Sequence, residues 1–216
     1  MTIKLYYHPL SSFCWKALIA LYENDTPFEP VLVDLQDPVE RGKFLKIWAL
    51  GKFPVIVDGN RNDWLVPESS IIIEYLAQYY PGKSKLVPAD PDMARRVRMV
   101  DRFFDFNIHI HMQKIVGDRM RPEGGRDPIG VEYARGQIRT ALGMFDRQVA
   151  SNQWAMGDTF TMADVSAAPA LFYGNSVAPF CDLKNISAYL ERLKQRPSFA
   201  RVLKEAEPYF AMFPKD

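Results

Sequence analysis

The sequence predicts a small mixed α/β unit followed by an all-helical unit. Three observations carry this. In the first eighty residues short β-type runs alternate with helical ones, whereas beyond Pro81-Gly82 and the stretch from Pro88 to Pro91 the chain reads as helices joined by turns. Within the first part, a strand that feeds a helix and returns to a neighbouring strand implies a parallel pair, while the short connection at Asp58-Gly59-Asn60 implies an antiparallel hairpin. The boundary falls near residue 85, giving units at 1–81 and 92–216 with a linker at 82–91.

Element by element, Ile3 to Tyr7 alternates as a strand. Phe13 to Glu23 is a helix, with Cys14, Ala17, Leu18 and Leu21 on one face. Phe28 to Val33 is extended, Val39 to Ile47 is a weaker helix, and Pro54 to Val57 and Trp64 to Val66 form the hairpin. Glu68 to Tyr80 closes the unit as a helix, so the order is β-α-β-α-β-β-α. The second unit offers helices at Asp92 to Arg119, Gly130 to Val149, Met162 to Gly174, Ile186 to Arg196 and Ser198 to Glu205, with breaks at Pro122 to Gly125 and at Arg196-Pro197. Thr161-Met162-Ala163-Asp164 is a capping box flanked by an apolar staple of Phe160 and Val165, a stability feature to which no chemistry is assigned.

Composition removes several classes. Of 216 residues, 27 are Lys or Arg and 26 Asp or Glu. The resulting charge of +1 argues against a phosphate-backbone binder, so no nucleic-acid partner is expected. With 48% apolar and 13% aromatic residues the chain buries a core and is not globally disordered. The longest apolar candidate, Val165 to Tyr173, is interrupted by Ser166 and Pro169 and is too short for a membrane span. The first residues read as a strand and not as a secretory leader. Two cysteines, Cys14 and Cys181, lack metal-like spacing and make no disulfide framework, so the cytoplasm is the expected compartment.

Three segments are candidates for chemistry. Ser11-Ser12-Phe13-Cys14 stands where the first strand hands over to the first helix, whose free amides and dipole stabilise an anion. A hydroxyl there can donate to a bound thiolate and lower its pKa. Ser11 is the first choice and Ser12 the second, and either also serves as a plain N-cap. Cys14, one turn inside, reads as a buried small hydrophobe. At Gly51-Lys52-Phe53-Pro54-Val55 a proline opens a strand; a cis bond there would turn the Phe53 backbone outward to pair with a peptide-like ligand, and an ordinary trans proline is the plainer alternative. Pro67-Glu68-Ser69-Ser70 offers another helix N-terminus for a carboxylate, with Glu68 for an ammonium group, although capping alone would account for Ser69. His109 and His111 fall on different helix faces, and no metal site is expected.

Together Ser11-Ser12-Phe13-Cys14, Phe53-Pro54-Val55, Pro67-Glu68-Ser69 with Ile73-Glu74-Tyr75-Leu76, Gly157-Asp158 through Asp164, and Tyr189-Leu190 through Arg196-Pro197-Ser198 resemble the glutathione transferase superfamily over nearly the whole chain. The resemblance is to its serine-type, cytosolic, bacterial-like members and assigns no subclass. It implies a thioredoxin-like N-terminal domain, an all-helical C-terminal domain on the acceptor side, and a homodimer. It also implies glutathione as co-substrate, no metal, and a small hydrophobic electrophile as second substrate. Ser11 matches the thiol-activating position, with Ser12 beside it where some bacterial classes place a cysteine. Phe53 and Pro54 match the pair that meets the cysteinyl backbone. Glu68 and Ser69 match the grip on the γ-glutamyl end, and Lys52, with Lys43 or Arg41, faces the glycine carboxylate. The acceptor would lie near His8 to Leu10 and a helix bearing Phe103, Phe106, Asn107, Ile110 and His111. Two departures stand out: Ala49-Leu50 where Asn-Pro is usual, and Lys16 where many members have Arg. The implied activity is conjugation. A glutathione-dependent isomerase, dehalogenase or peroxidase, or a noncatalytic binding module on the same fold, are the alternatives.

Overall fold

A computed structural model describes residues 2–214. Strand β1 (Ile3–Tyr7) leads into helix α1 (Ser12–Glu23), followed by β2 (Phe28–Leu32), α2 (Pro38–Ile47), β3 (Val55–Asp58), β4 (Trp64–Pro67) and α3 (Ser69–Tyr79). The sheet order is β2-β1-β3-β4, with β1 parallel to β2 and both other pairings antiparallel. This is the mixed, thioredoxin-like sheet expected. Pro30 is tolerated because β2 is an edge strand.

Period-two alternation sorts the side chains to two faces. Ile3, Leu5, Ile56 and Val66 join the main core beneath α1 and α3. Val55 packs on the other face with Val33 and Phe44, the one buried residue of α2, and with Tyr6 and Leu65 around them. That single anchor explains why α2 carries so weak an apolar pattern.

The helical unit comprises α4 (Pro91–Phe104), α5 (Ile110–Arg119), α6 (Pro128–Val149), α7 (Met162–Val177), α8 (Lys184–Lys194) and α9 (Pro197–Ala206), then a 3₁₀ segment, Glu207–Met212. The expected single helix from Asp92 to Arg119 is instead α4 and α5 joined through a π-helical turn, Asp105–His109. The widened turn breaks the i, i+4 spacing on which the sequence reading relied. The second correction concerns α1. One apolar face was expected, yet Trp15, Lys16, Ile19 and Ala20 are buried as well, because α7 and α9 pack on the side away from the sheet. Among the described residues no helix is long and apolar enough to cross a membrane.

The capping box forms as read. Thr161 Oγ1 accepts from the Ala163 amide at 3.3 Å and Asp164 Oδ2 accepts from the Thr161 amide at 2.8 Å. Asp164 does more than close the box, since its other oxygen accepts from the Ala155 amide and the Tyr189 hydroxyl.

Candidate active site between the two units

A cavity of about 460 Å³ opens where the sheet unit meets α4 and α5. From the first unit it is lined by Ser11, Phe13, Leu35, Trp48, the run Gly51 to Pro54, Glu68 and Ser69. From the helical unit come Arg102, Asp105, Phe106, Ile110 and Gln113. Three segments far apart in sequence, around residues 11, 53 and 68, thus share one wall.

Ser11 is the N-cap of α1, in extended backbone, and its Oγ accepts from the Cys14 amide at 3.3 Å. The oxygen caps the helix, and Ser11 also lines the cavity. Ser12 is the first residue of the helix, is buried, and does not line the cavity. The approach to Ser11 is pinned from several sides. Its amide donates to the His8 carbonyl, Trp15 Nε1 donates to the Pro9 carbonyl, and the Tyr173 hydroxyl of α7 donates to the Leu10 carbonyl at 2.9 Å. Cys14, behind this turn, is fully buried, and burial pushes its thiol up to about 12 in spite of contacts with Ser11 and the His8 backbone that lower it. The buried-hydrophobe reading of Cys14 holds.

The Phe53-Pro54 bond is cis. Pairing within the sheet begins at Val55, so the Phe53 amide and carbonyl lie beyond the ladder, at the cavity wall. The Phe53 ring stacks on His8 with centroids 6.1 Å apart. Gly51, with φ of 61°, supplies the left-handed turn into this segment, a conformation a side chain would strain. Glu68 has φ of 69° without being glycine, an outlier of the sort that clusters at ligand sites. It stands at the N-cap position of α3 without a side-chain capping bond, and Ser69 is the first helical residue. Capping therefore does not account for Ser69.

Below the cavity floor lies a charged network that no sequence pattern revealed. Lys16, buried on α1, places Nζ 2.8 Å from both Asp101 and Asp105 and 2.9 Å from Ser70 Oγ. Ser70 donates to Asp101 at 2.8 Å, and Ser166 of α7 also donates to Asp101. Asp105 interacts with His109 Nδ1 at 3.3 Å. Burial alone would raise the Asp105 carboxyl, but His109 and Lys16 together hold it near 2. Burial pushes His109 down, so it stays neutral near pH 7, with its Nε2 unpaired among the described residues. Lys16 is thus the buried cation shared by two carboxylates.

Of the other residues read from sequence, Lys52 lines the cavity, whereas Lys43 is an exposed partner of Glu40 and Arg41 is not on the wall. Phe106 and Ile110 face the cavity, but Phe103 packs on Phe145, Asn107 donates to the Phe103 carbonyl and His111 lies against Tyr133. Among the described residues there is no group of three potential metal ligands. Sequence reasoning missed Phe13, Leu35, Trp48, Arg102, Asp105 and Gln113.

Comparison with known proteins decides the family. Residues 5–84 match the model of the glutathione S-transferase N-terminal domain, and residues 105–197 match that of the C-terminal domain. The chain belongs to the glutathione S-transferase family. It is similar to Glutathione S-transferase 3 of Zea mays, 29% identical over 210 residues covering 93% of each chain. It is also similar to a probable maleylacetoacetate isomerase of Caenorhabditis elegans, 28% identical and covering 94% of each. Among solved structures, a glutathione S-transferase from Methylobacterium radiotolerans in complex with glutathione sulfonate is 28% identical, covers 94% of each chain and superposes with a TM-score of 0.81. In this transferase fold the cavity lies where the two family domains meet.

Proposed function

We propose that the chain is a glutathione transferase in which Ser11 and the amide end of α1 hold the glutathione sulfur as a thiolate for attack on a small, largely apolar electrophile. The observation that carries this is the convergence on one cavity of the Ser11 hydroxyl at the α1 N-cap, an open strand end at Phe53 and the α3 amide end at Glu68-Ser69. A hydrogen bond and a helix N-terminus both favour the charged sulfur, which raises the nucleophile's population near neutral pH. Phe53 pairs with the cysteinyl backbone next to Pro54, Glu68 and Ser69 take the γ-glutamyl end, and Lys52 takes the glycine carboxylate. Phe106 and Ile110 offer the acceptor an apolar face. The reaction requires no metal. The chain assembles as a homodimer and works in the cytoplasm; exposed Ile71 of α3 and Met99 of α4, on helices joined by the Arg98–Glu74 pair, supply apolar surface for the partner.

The test is Ser11→Ala. Losing one charge-assisted hydrogen bond should raise the pKa of bound glutathione by about one to two pH units, followed by thiolate absorbance, and lower conjugation about a hundredfold. Full activity with an unchanged thiol pKa would remove Ser11 from the mechanism. No heat of binding at millimolar glutathione would leave only a noncatalytic module.

A second reading, glutathione-dependent isomerisation, is favoured by the similarity to the Caenorhabditis elegans protein. There the thiolate adds to a conjugated double bond and leaves again, so glutathione is not consumed. Thiol titration before and after turnover separates the two reactions.

A further inference from the structure

We propose that Arg102 is the carboxylate receptor of the cavity, and that it takes the α-carboxylate on the γ-glutamyl end of glutathione, so that the tripeptide is gripped from both units. This rests on the glutathione reading above, in which Glu68 and Ser69 alone held that end.

Arg102 is anchored by one corner. Its Nη1 lies 3.2 Å from Asp101 and 3.5 Å from Asp105, whereas its Nε and Nη2 donate no hydrogen bond among the described residues. A guanidinium has five donors, and the Nε–Nη2 edge is a fork matched to a carboxylate. Here that edge is unspent, on a side chain 46% exposed at the cavity wall. The two aspartates do not need it for themselves: Asp101 is served by Lys16, Ser70 and Ser166, and Asp105 by Lys16 and His109. They orient Arg102 without exhausting it.

Position selects the ligand carboxylate. The bond from Ser70 to Asp101 ties this part of α4 to the first turn of α3, and Arg102, the next residue, lines the same cavity as Glu68 and Ser69. Phe106 and Ile110 follow further along the wall, within and just past the π turn. The apolar acceptor therefore has its own stretch of wall. Charge agrees as well. Lys16 and Arg102 balance Asp101 and Asp105, so an arriving group should be neutral overall. The γ-glutamyl end is a zwitterion, its ammonium suited to Glu68 and Asp105 and its carboxylate to Arg102 and the α3 amides.

The experiment is calorimetric titration of the full chain and of Arg102→Gln with two peptides, glutathione and γ-aminobutyryl-cysteinyl-glycine, which lacks only that carboxylate. Glutathione should bind the variant about 10- to 100-fold more weakly, while the shortened peptide should bind both proteins within twofold. The KM for an uncharged chloronitrobenzene should not move. Equal losses for both peptides, unchanged glutathione affinity, or a shift confined to the acceptor would overturn the assignment. Binding of neither peptide to the unmodified chain would overturn the glutathione reading too, which separates the two failures. Should Arg102→Gln melt early, Arg102→Lys decides: it keeps the charge but not the fork, and glutathione should still bind severalfold more weakly.

Discussion

Cys14 and Cys181 carry the same side chain in opposite surroundings, one fully buried with its thiol pushed up to about 12, the other exposed. Reactivity follows the thiolate and its access, so a disulfide reagent should titrate one thiol quickly in the native protein and two after denaturation. Rapid modification of two would refute the burial of Cys14. Lys16 is the residue on which most of the floor depends. Replacing it by Met leaves the buried Asp101 and Asp105 with only the half-exposed Arg102 as a shared cation, a loss expected to cost about 3 kcal/mol. Urea unfolding of Lys16→Met should show a lower midpoint with an unchanged slope, and Lys16→Arg should recover part of it. The burial of Cys14 was legible in the sequence, but the role of Lys16 was not, since there it is simply one polar position in an apolar helix. Its partners are 54, 85 and 89 residues away, and no local pattern encodes such distances.

At the scale of elements, legibility followed how local each signal was. The first strand, the hairpin at Asp58-Gly59 and the capping box were readable because turn chemistry and capping act within four residues. The π turn at Asp105–His109 was not, because it answers to Lys16 and Ser70, which reach Asp101 and Asp105 from another unit. The three cavity-facing segments were each legible as possible anion or peptide contacts, and family resemblance joined them. The opposite wall was half read: Phe106 and Ile110 belonged to a visible stripe, whereas Arg102 belonged to no motif. The capping box gives a graded prediction. Thr161→Ala removes one cap and should cost about 1 kcal/mol. Asp164→Ala also strands the Ala155 amide and the Tyr189 hydroxyl, each buried group costing about 1–3 kcal/mol, so it should destabilise several times more in the same urea titration.

Across the whole molecule, acid should loosen the contact between the units. Glu23 of α1 accepts from Arg196 Nε and Nη2, from Ser198 of α9 and from Ser84 of the linker, and these bonds hold its carboxyl below the ordinary range against the upward push of burial. Asp105 is held near 2. Groups with depressed folded-state pKa values stabilise above their unfolded values and lose that contribution as pH falls through the folded ones. Stability should therefore begin to fall below about pH 6.5, where His109 titrates only in the unfolded chain, and fall further from pH 4 toward 2, Asp105 contributing about 2 kcal/mol. Asp164, raised by burial, works in the opposite direction. Melting temperatures that stay flat from pH 7 to pH 3 would contradict this account.

The hydrogen bond from Tyr173 to the Leu10 carbonyl has a practical consequence for anyone who would divide this chain. The turn that leads into α1 is fastened by a residue encoded more than 160 positions later. Expressed as a fragment, residues 1–81 would lack that fastening, the covering of Trp15 by Phe172 and Phe199, and the carboxylates that neutralise Lys16. Such a fragment should be an aggregation-prone stub with no grip on a thiol peptide, and supplying the missing half in trans should restore both solubility and capture.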